Sequence, residues 1–553
     1  MIKLRPWQNE ATTKAIRWLV QERKDKHFLI NAAPGAGKTI AACSIADELI
    51  NLGEIDRIIV IAPRSEVVNQ WAKDFLMSTG RTMTKVTGGD GDIDALGIDV
   101  CATWSAVQGL QQGFQKICET SNTLVICDEH HHAAVEAAWG DGADSAFASA
   151  KFVLVLTGTP IRSDGTQSIW LAYHDSGAIS HPAAGTYTLT YGQSVDLGYC
   201  RPVTFHRHEG KFTVDLDSGE QTQVSGKEGP DLPDNFKKIP GLQRALDFYK
   251  LVCTPQYNVG TKDPLLTGYQ ATMLEAAMIK LDDLRNRMPR AGGLVIAPTI
   301  EMAEYFVKLI EFMEGETPIL VHSQLPNAEG KIAAFRTTDK KWLVSVAMVS
   351  EGVDIPRLRV LVYLPSAKTE LAFRQAVGRV VRTSAPDDDT RAYVVMPTIS
   401  VFDIYAQRVE EEIGHHPKKD GDAKTKKCPI CEHENALGAA QCAGCGHEFP
   451  KPPPRVKHCP ACGTDMPMGS KVCPGCGHDF QTNFNLTLDE ALRTGAIIRG
   501  MDISEEEVAA GEAMAPQVRQ AILKSGDERL IRLLKVMPEE VLGHLKAILD
   551  SKG

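Results

Sequence analysis

Short apolar runs rich in Val, Ile and Leu recur along this chain with helix-like segments between them. That alternation constrains the fold more than any other feature. HFLINAA (27–33), RIIVIA (57–62), 97–102, TLVIC (123–127) and FVLVL (152–156) are the first set. Strands buried on both faces by flanking helices read as continuous apolar runs, so the first set predicts a doubly wound parallel α/β domain. The pattern returns after residue 290: GGLVIAP, a helix with apolar spacing from Met302 to Phe312, then TPILVH, KWLVSVAM, RVLVYLP and RAYVVMP. Two tandem parallel-sheet α/β domains are expected, over 1–190 and 291–410, with 191–290 between them as a linker and partly helical insert carrying a helix near 270–287. Residues 411–427 read as a linker and KPPPRVK at 451–457 as a stiff spacer. From 487 to 553 a short α-helical tail is expected, with Ser504 and Glu507 fitting a capping box and Pro516 and Pro538 dividing it into short helices.

Eight of the 14 cysteines fall between Cys428 and Cys476. They form two copies of one pattern: Cys428, Cys431, Cys442, Cys445 over 428–449, and Cys459, Cys462, Cys473, Cys476 over 459–480. Both read C-P-x-C, ten residues, C-x-G-C-G-H-x-F. Two residues between thiolates let one tight turn offer both sulfurs to one ion, and two such turns complete a closed tetrahedral shell. The chain should therefore carry two four-cysteine zinc ribbons with two structural Zn²⁺ ions, an iron–sulfur cluster being the alternative occupant. His447 and His478 then read as surface histidines, and the six scattered cysteines as ordinary reduced thiols.

Residues 32–39, A-A-P-G-A-G-K-T, directly follow the first strand run and open a helical stretch, which is the setting a P-loop requires. Gly35, Ala36 and Gly37 would bring backbone N–H groups to the phosphates of ATP, Lys38 would place its charge on the β- and γ-phosphates, and Thr39 would hold Mg²⁺. Ala32 stands where the stricter pattern has Gly. TLVICDEHH ends another apolar run with adjacent carboxylates, costly unless a cation neutralises them. Asp128 would hold Mg²⁺ through water, and Glu129 would orient and deprotonate the attacking water, while His132 reads as an ordinary histidine.

With these residues in place, residues 1 to about 400 resemble a superfamily 2 helicase of the DExH type, within the DEAD/DEAH-box group. LRPWQ (4–8), APR (62–64) with Gln70-Trp71, DEHH (128–131), TGTP (157–160), SEGVDIP (350–356) and QAVGRVVR (375–382) match that family's motifs in order. The resemblance implies two RecA-like domains with ATP between them. It places Gln8 on the adenine edge and Gly352 and Asp354 at the nucleotide. It places Pro63, Arg64, Thr103, Thr157 and Thr159 on nucleic acid, and His131 in the coupling position. Gln375, Arg379 and Arg382 become catalytic, the two arginines reaching the γ-phosphate from the second domain. Val346 and Glu351 depart from the DEAD-box pattern and resemble the DNA-directed branch. With the cysteine pairs, the whole is most similar to RadD-like bacterial repair helicases and their phage-borne relatives.

The resemblance implies an ATP-dependent DNA helicase or translocase, at work in DNA repair, recombination or phage or bacterial DNA metabolism. The motor of a restriction or defence system is an alternative, and so is a zinc-ribbon binding module with an ATPase switch. The expected partner is single-stranded or branched DNA, with a protein partner reached through the ribbons or the C-terminal helices. A net charge of -10 is an average and leaves room for a neutral-to-basic track across both domains. Residues 415–458 carry eight Lys/Arg against five Asp/Glu. No stretch approaches the ~18 apolar residues of a membrane span, and the start lacks a signal-peptide core. A cytoplasmic protein without a membrane partner is expected, nucleoid-associated when working, or in the host cytoplasm if phage-encoded.

Overall fold

The computed structural model describes residues 3–88, 98–129, 145–158, 170, 172–173, 179–216, 220–226, 229–233, 246–258, 260–346, 355–383 and 390–413. In the C-terminal part it describes 425–427, 433–436, 439–448, 456–458, 462, 464–467, 472–477 and 483–487. The segment expected to be a helical tail lies, from residue 488 onward, outside the described residues.

Two parallel sheets carry the α/β part. The first has seven strands in the order Met83–Val86, Asp99–Thr103, Arg57–Ala62, Thr123–Asp128, Phe152–Thr157, His27–Ala32 and Thr186–Leu189. Every neighbouring pair runs parallel. Alternation within each strand feeds two separate cores. Phe28, Ile30, Ile58, Val60, Leu124 and Leu154 pack into one core. Leu29, Ile59, Ile61, Val125 and Val153 pack on the other face with Trp104 and Phe114. A strand apolar at every position is thereby satisfied on both sides, which is the physical content of the doubly wound expectation. Gaps between sequential strands in the sheet order require crossovers, and helices such as Lys38–Asn51 and Ser65–Thr79 supply them.

The second sheet has six strands in the order Val203–His208, Ala392–Pro397, Leu358–Tyr363, Gly292–Ile296, Trp342–Ser345 and Ile319–Val321, again all parallel. Helix Tyr269–Arg285 packs on it with Tyr269, Met273, Ala277 and Leu281 all buried. The 191–290 stretch, expected as a linker and partly helical insert, gives this sheet its edge strand Val203–His208. Its alternation of buried and exposed positions hides it among polar residues, as a half-covered edge strand permits.

A third, three-stranded sheet joins distant parts of the chain. Lys211–Asp215 pairs antiparallel with Gln221–Ser225 and parallel with Asn483–Thr487, the strand that follows the cysteine region. Phe484 is 4% exposed and packs its ring 5.6 Å from Phe212 and 5.3 Å from Tyr269. Each cysteine unit contributes an antiparallel hairpin: Thr425–Lys427 with Glu434–Ala436, and Val456–His458 with Asp465–Pro467. Among the described residues no helix is long and apolar enough to cross a membrane.

Truncating a buried Phe to Ala costs about 3–5 kcal/mol. Phe484→Ala should therefore release the Asn483–Thr487 strand and raise amide exchange across 211–215, read by hydrogen–deuterium exchange. Unchanged protection of 211–215 would show that this pairing does not hold in solution.

Candidate nucleotide site and cysteine clusters

The turn after strand His27–Ala32 is built for close backbone approach. Gly35 takes φ +83° and Gly37 φ +98°, a region that side chains with a Cβ rarely occupy. Gly37 caps helix Lys38–Asn51, so the unpaired N–H groups of that helix start face the turn. Lys38 Nζ donates to the Ala32 carbonyl at 3.1 Å and lies against Gly158, where a Cβ would sit 2.8 Å from it. Thr39 is half-buried at the second position of the helix.

The N-terminal element buttresses this turn. Gln8 accepts from the Arg5 N–H at 2.8 Å through Oε1 and donates to the Gly37 carbonyl at 3.0 Å through Nε2. An amide nitrogen carries two protons, so one donor of Gln8 remains available to a ligand. Arg5 and Trp7 both donate to the Ala36 carbonyl, at 2.8 and 3.2 Å.

Asp128 ends the fully buried strand Thr123–Asp128. Its Oδ2 accepts from Trp71 Nε1 at 2.7 Å, which fixes the carboxylate at the strand end. Glu129 takes φ +51°, a left-handed conformation uncommon outside glycine that costs of order 1–3 kcal/mol and so must be held by its surroundings. The glycine cradle, the helix start, Lys38, Thr39 and the paired carboxylates fit ATP with Mg²⁺.

The second sheet delivers its contribution through helix Glu370–Val380, whose start is capped by Thr369. This helix meets the P-loop directly. A Cβ on Gly378 would fall 2.8 Å from Pro34 Cβ, and one on Gly35 would fall 2.8 Å from Arg382 Cγ. Gln375 is half-buried and Arg379 is 8% exposed. Beside the contact lies a cavity of about 250 Å³, lined by Asn31, Pro34 and Gly158 from one side and Val377, Gly378 and Val381 from the other. Burial pushes the Cys200 thiol up to about 11, so it stays protonated and donates to the Pro34 carbonyl at 3.2 Å.

The remaining site candidates are spread along the same rim. Arg64 precedes helix Ser65–Thr79 in extended conformation, and Pro63 is half-buried beside it. Thr103 caps helix Trp104–Gly109 through its hydroxyl. Thr157 is fully buried at the end of its strand, opposite Asn31. His131, Thr159, Gly352 and Asp354 lie outside the described residues. Sequence reasoning gave no role to Arg5 or to the indole of Trp71. A polar-tipped aromatic on the apolar face of an amphipathic helix was the available signal for Trp71.

Of the eight clustered cysteines, Cys428, Cys431 and Cys459 lie outside the described residues. The thiols of Cys462, Cys473 and Cys476 all lie within 4.8 Å of one another, and Cys462 Sγ is 3.5 Å from Cys473 Sγ. A tetrahedral zinc with Zn–S of about 2.3 Å needs sulfurs about 3.8 Å apart, so these three positions fit that ion. Hydrogen bonds from Thr464, through its hydroxyl and backbone, and from Cys476 and Cys473 hold the exposed Cys462 thiol down to about 6, toward the thiolate a metal requires. Gly475 N–H donates to Cys473 Sγ and Gly444 N–H to Cys442 Sγ, each at 3.3 Å, the same arrangement in both units. The six scattered cysteines are buried and free of disulfides.

Comparison with known proteins matches three parts of the chain. Residues 1–162 match the family model "Type III restriction enzyme, res subunit", 276–384 the "Helicase conserved C-terminal domain", and 428–477 the "Double zinc ribbon". The chain thus carries helicase domains of the superfamily 2 type, with a double zinc ribbon behind them. Among its relatives, an uncharacterized protein of Mycobacterium leprae is 30% identical over 424 residues, covering 74% of this chain and 65% of that protein. The chain therefore spans a little under two thirds of that relative's length. The DNA 3'-5' translocase XPB2 of Sulfurisphaera tokodaii is 24% identical over 69% of this chain and 79% of its own. In structure, a fragment described as an HsdR subunit of a type I restriction enzyme from Vibrio vulnificus superposes with a TM-score of 0.51 at 19% identity, over 75% of this chain and 67% of that one. That likeness is one of fold.

Two outcomes follow from the site. Trp71→Phe removes a charge-assisted hydrogen bond to a buried carboxylate, worth about 1.5–3 kcal/mol, and should raise the Mg²⁺ concentration needed for half-maximal ATP turnover. An unchanged Mg²⁺ dependence would separate Asp128 from the metal. Zinc removal by a chelator at neutral pH should release close to two equivalents of metal per chain, measured by a colorimetric zinc indicator. Release of one equivalent or none would sink the paired-ribbon reading.

Proposed function

We propose that this chain is an ATP-driven DNA helicase or translocase. The observation that carries the reading is the direct contact of Pro34 and Gly35 with Gly378 and Arg382, which brings the P-loop of one sheet against the arginine-bearing helix of the other. In this reading the backbone amides around Gly35, Ala36 and Gly37, with Lys38, hold the β- and γ-phosphates of ATP. Thr39 and Asp128 hold Mg²⁺, which when bound neutralises charge developing on the phosphoryl oxygens. Glu129 orients and deprotonates the attacking water. Arg379 and Arg382, with Gln375, reach across to the γ-phosphate, so the two sheets close on a triphosphate and part once it is cleaved. Gln8, Gly352 and Asp354 complete the nucleotide pocket.

Nucleic acid lies across both domains, touching Pro63, Arg64, Thr103, Thr157 and Thr159, and His131 couples the two sites. DNA is favoured over RNA by the SEGVDIP sequence and by the translocase XPB2 among the relatives. The zinc ribbons hold two structural ions and choose substrates or partners. A second reading is favoured by the family match over 1–162: the motor of a restriction or defence system, which would require a nuclease or methyltransferase partner.

ATP turnover measured with single-stranded DNA, double-stranded DNA and RNA tests the proposal. DNA should raise turnover most. Lys38→Ala should abolish hydrolysis, Glu129→Gln should retain bound ATP unhydrolysed, and Arg382→Ala should cost roughly 10³-fold in stimulated turnover. If no nucleic acid raises turnover, the motor reading fails, and stimulation by RNA alone would move the substrate. Copurification of a nuclease or methyltransferase would favour the restriction reading.

A further inference from the structure

Three consecutive residues outside the helicase-like motifs, Tyr199, Cys200 and Arg201, touch both halves of the nucleotide site. On one side, the Arg5 guanidinium lies 4.4 Å over the Tyr199 ring while its Nη1 holds the Ala36 carbonyl. The Cys200 thiol donates to the Pro34 carbonyl at 3.2 Å. On the other side, the Arg201 N–H donates to the Val381 carbonyl at 2.6 Å, and its Nη1 donates to the Val380 carbonyl at 2.8 Å. Cys200 forms an antiparallel bridge with Arg382, and the Thr383 hydroxyl donates to the Tyr199 carbonyl at 3.2 Å.

Val380 ends the helix that carries Gln375 and Arg379, and the last carbonyls of a helix have no partner within it. A cation there both satisfies those carbonyls and complements the negative end of the helix dipole. Arg201 does this while 1% exposed, with further acceptors at the Pro356 and Leu358 carbonyls. A buried guanidinium is costly to place unless its donors are used, so the position is fixed tightly. Its acceptors Val380 and Val381 are the two residues between Arg379 and Arg382.

We propose that Tyr199–Cys200–Arg201 is a strap that sets the register between the P-loop and the arginine-bearing helix, with Arg201 the positioning residue for Arg379 and Arg382. The proposal rests on the reading that those arginines act on the γ-phosphate. It goes beyond that reading by giving their placement to a segment lying between the two domains. A strap anchored to both sides carries any change at the phosphates into the relative position of the sheets.

The test is steady-state ATP turnover by the full chain, stimulated by single-stranded DNA, with kcat and KM for ATP determined separately. Arg201→Met should lower stimulated kcat about ten-fold or more while KM for ATP stays within about three-fold, because nucleotide binding by the P-loop is left in place. Arg201→Lys, which keeps a donor for the helix carbonyls, should recover part of the loss. Tyr199→Leu, which removes only the ring beneath Arg5, should lower kcat about three- to five-fold. Arg382→Ala is run in parallel. If it keeps full stimulated turnover, the arginine reading itself fails. If it is inactive while folded Arg201→Met retains kcat within about two-fold, the strap is overturned. Should Arg201→Met fail to fold, judged by circular dichroism, unchanged kcat in Tyr199→Leu overturns it as well.

Discussion

Close approach at glycine is the constraint on which the junction of the two sheets depends. Gly378 faces Pro34, Gly35 faces Arg382, and a Cβ on Gly192 would fall within 1.9 Å of the Glu412 carbonyl. The last contact joins helix Tyr191–Asp196, just after the first sheet, to the end of helix Ser400–Ile413 on the second. Interiors packed this tightly do not deform by degrees; they hold one arrangement or change to another. A junction of that kind suits a machine that alternates between discrete positions.

Polar groups at the glycine turn and at the strand end beside it are held by partners far away in sequence. Asp128 is set by Trp71, the P-loop carbonyl of Ala36 by Arg5 and Trp7, and the Pro34 carbonyl by Cys200. The partners come from three elements, so the site is a meeting of the N-terminal helix, helix Ser65–Thr79 and the segment after residue 198. Buried donors and acceptors in such a network reinforce one another, and losing one leaves its counterpart exposed to the full cost of desolvation.

The parallel strands were legible because central strands buried on both faces leave no polar positions. TLVIC and FVLVL announce Thr123–Asp128 and Phe152–Thr157 on those grounds alone. The P-loop was legible because its chemistry is local: strand, glycines, lysine and helix lie within a dozen residues. Strands such as Met83–Val86, Thr186–Leu189, Val203–His208 and Asn483–Thr487 were not. Val203–His208 sits at a sheet edge and tolerates His206 and Arg207, while Asn483–Thr487 finds its partner more than 260 residues away. In sequence Trp71 stands out only as part of a motif, since its own neighbours do not name the carboxylate it serves. Long-range pairing of this kind is invisible to periodicity, because the pattern of one segment does not name its partner.

The parallel pairing of Asn483–Thr487 with Lys211–Asp215 has a topological meaning. The chain leaves the second sheet's domain at helix Ser400–Ile413, passes through both cysteine hairpins and is stitched back by five paired residues and the Phe484 ring. The ribbons are thus a loop with two moorings rather than a pennant with one. A load applied to them divides between two anchor points on the α/β body, and shear along a five-residue parallel strand must be overcome before the second lets go. Whatever the ribbons grip is therefore fastened to the α/β body itself, and its pull falls on the flank of the second sheet.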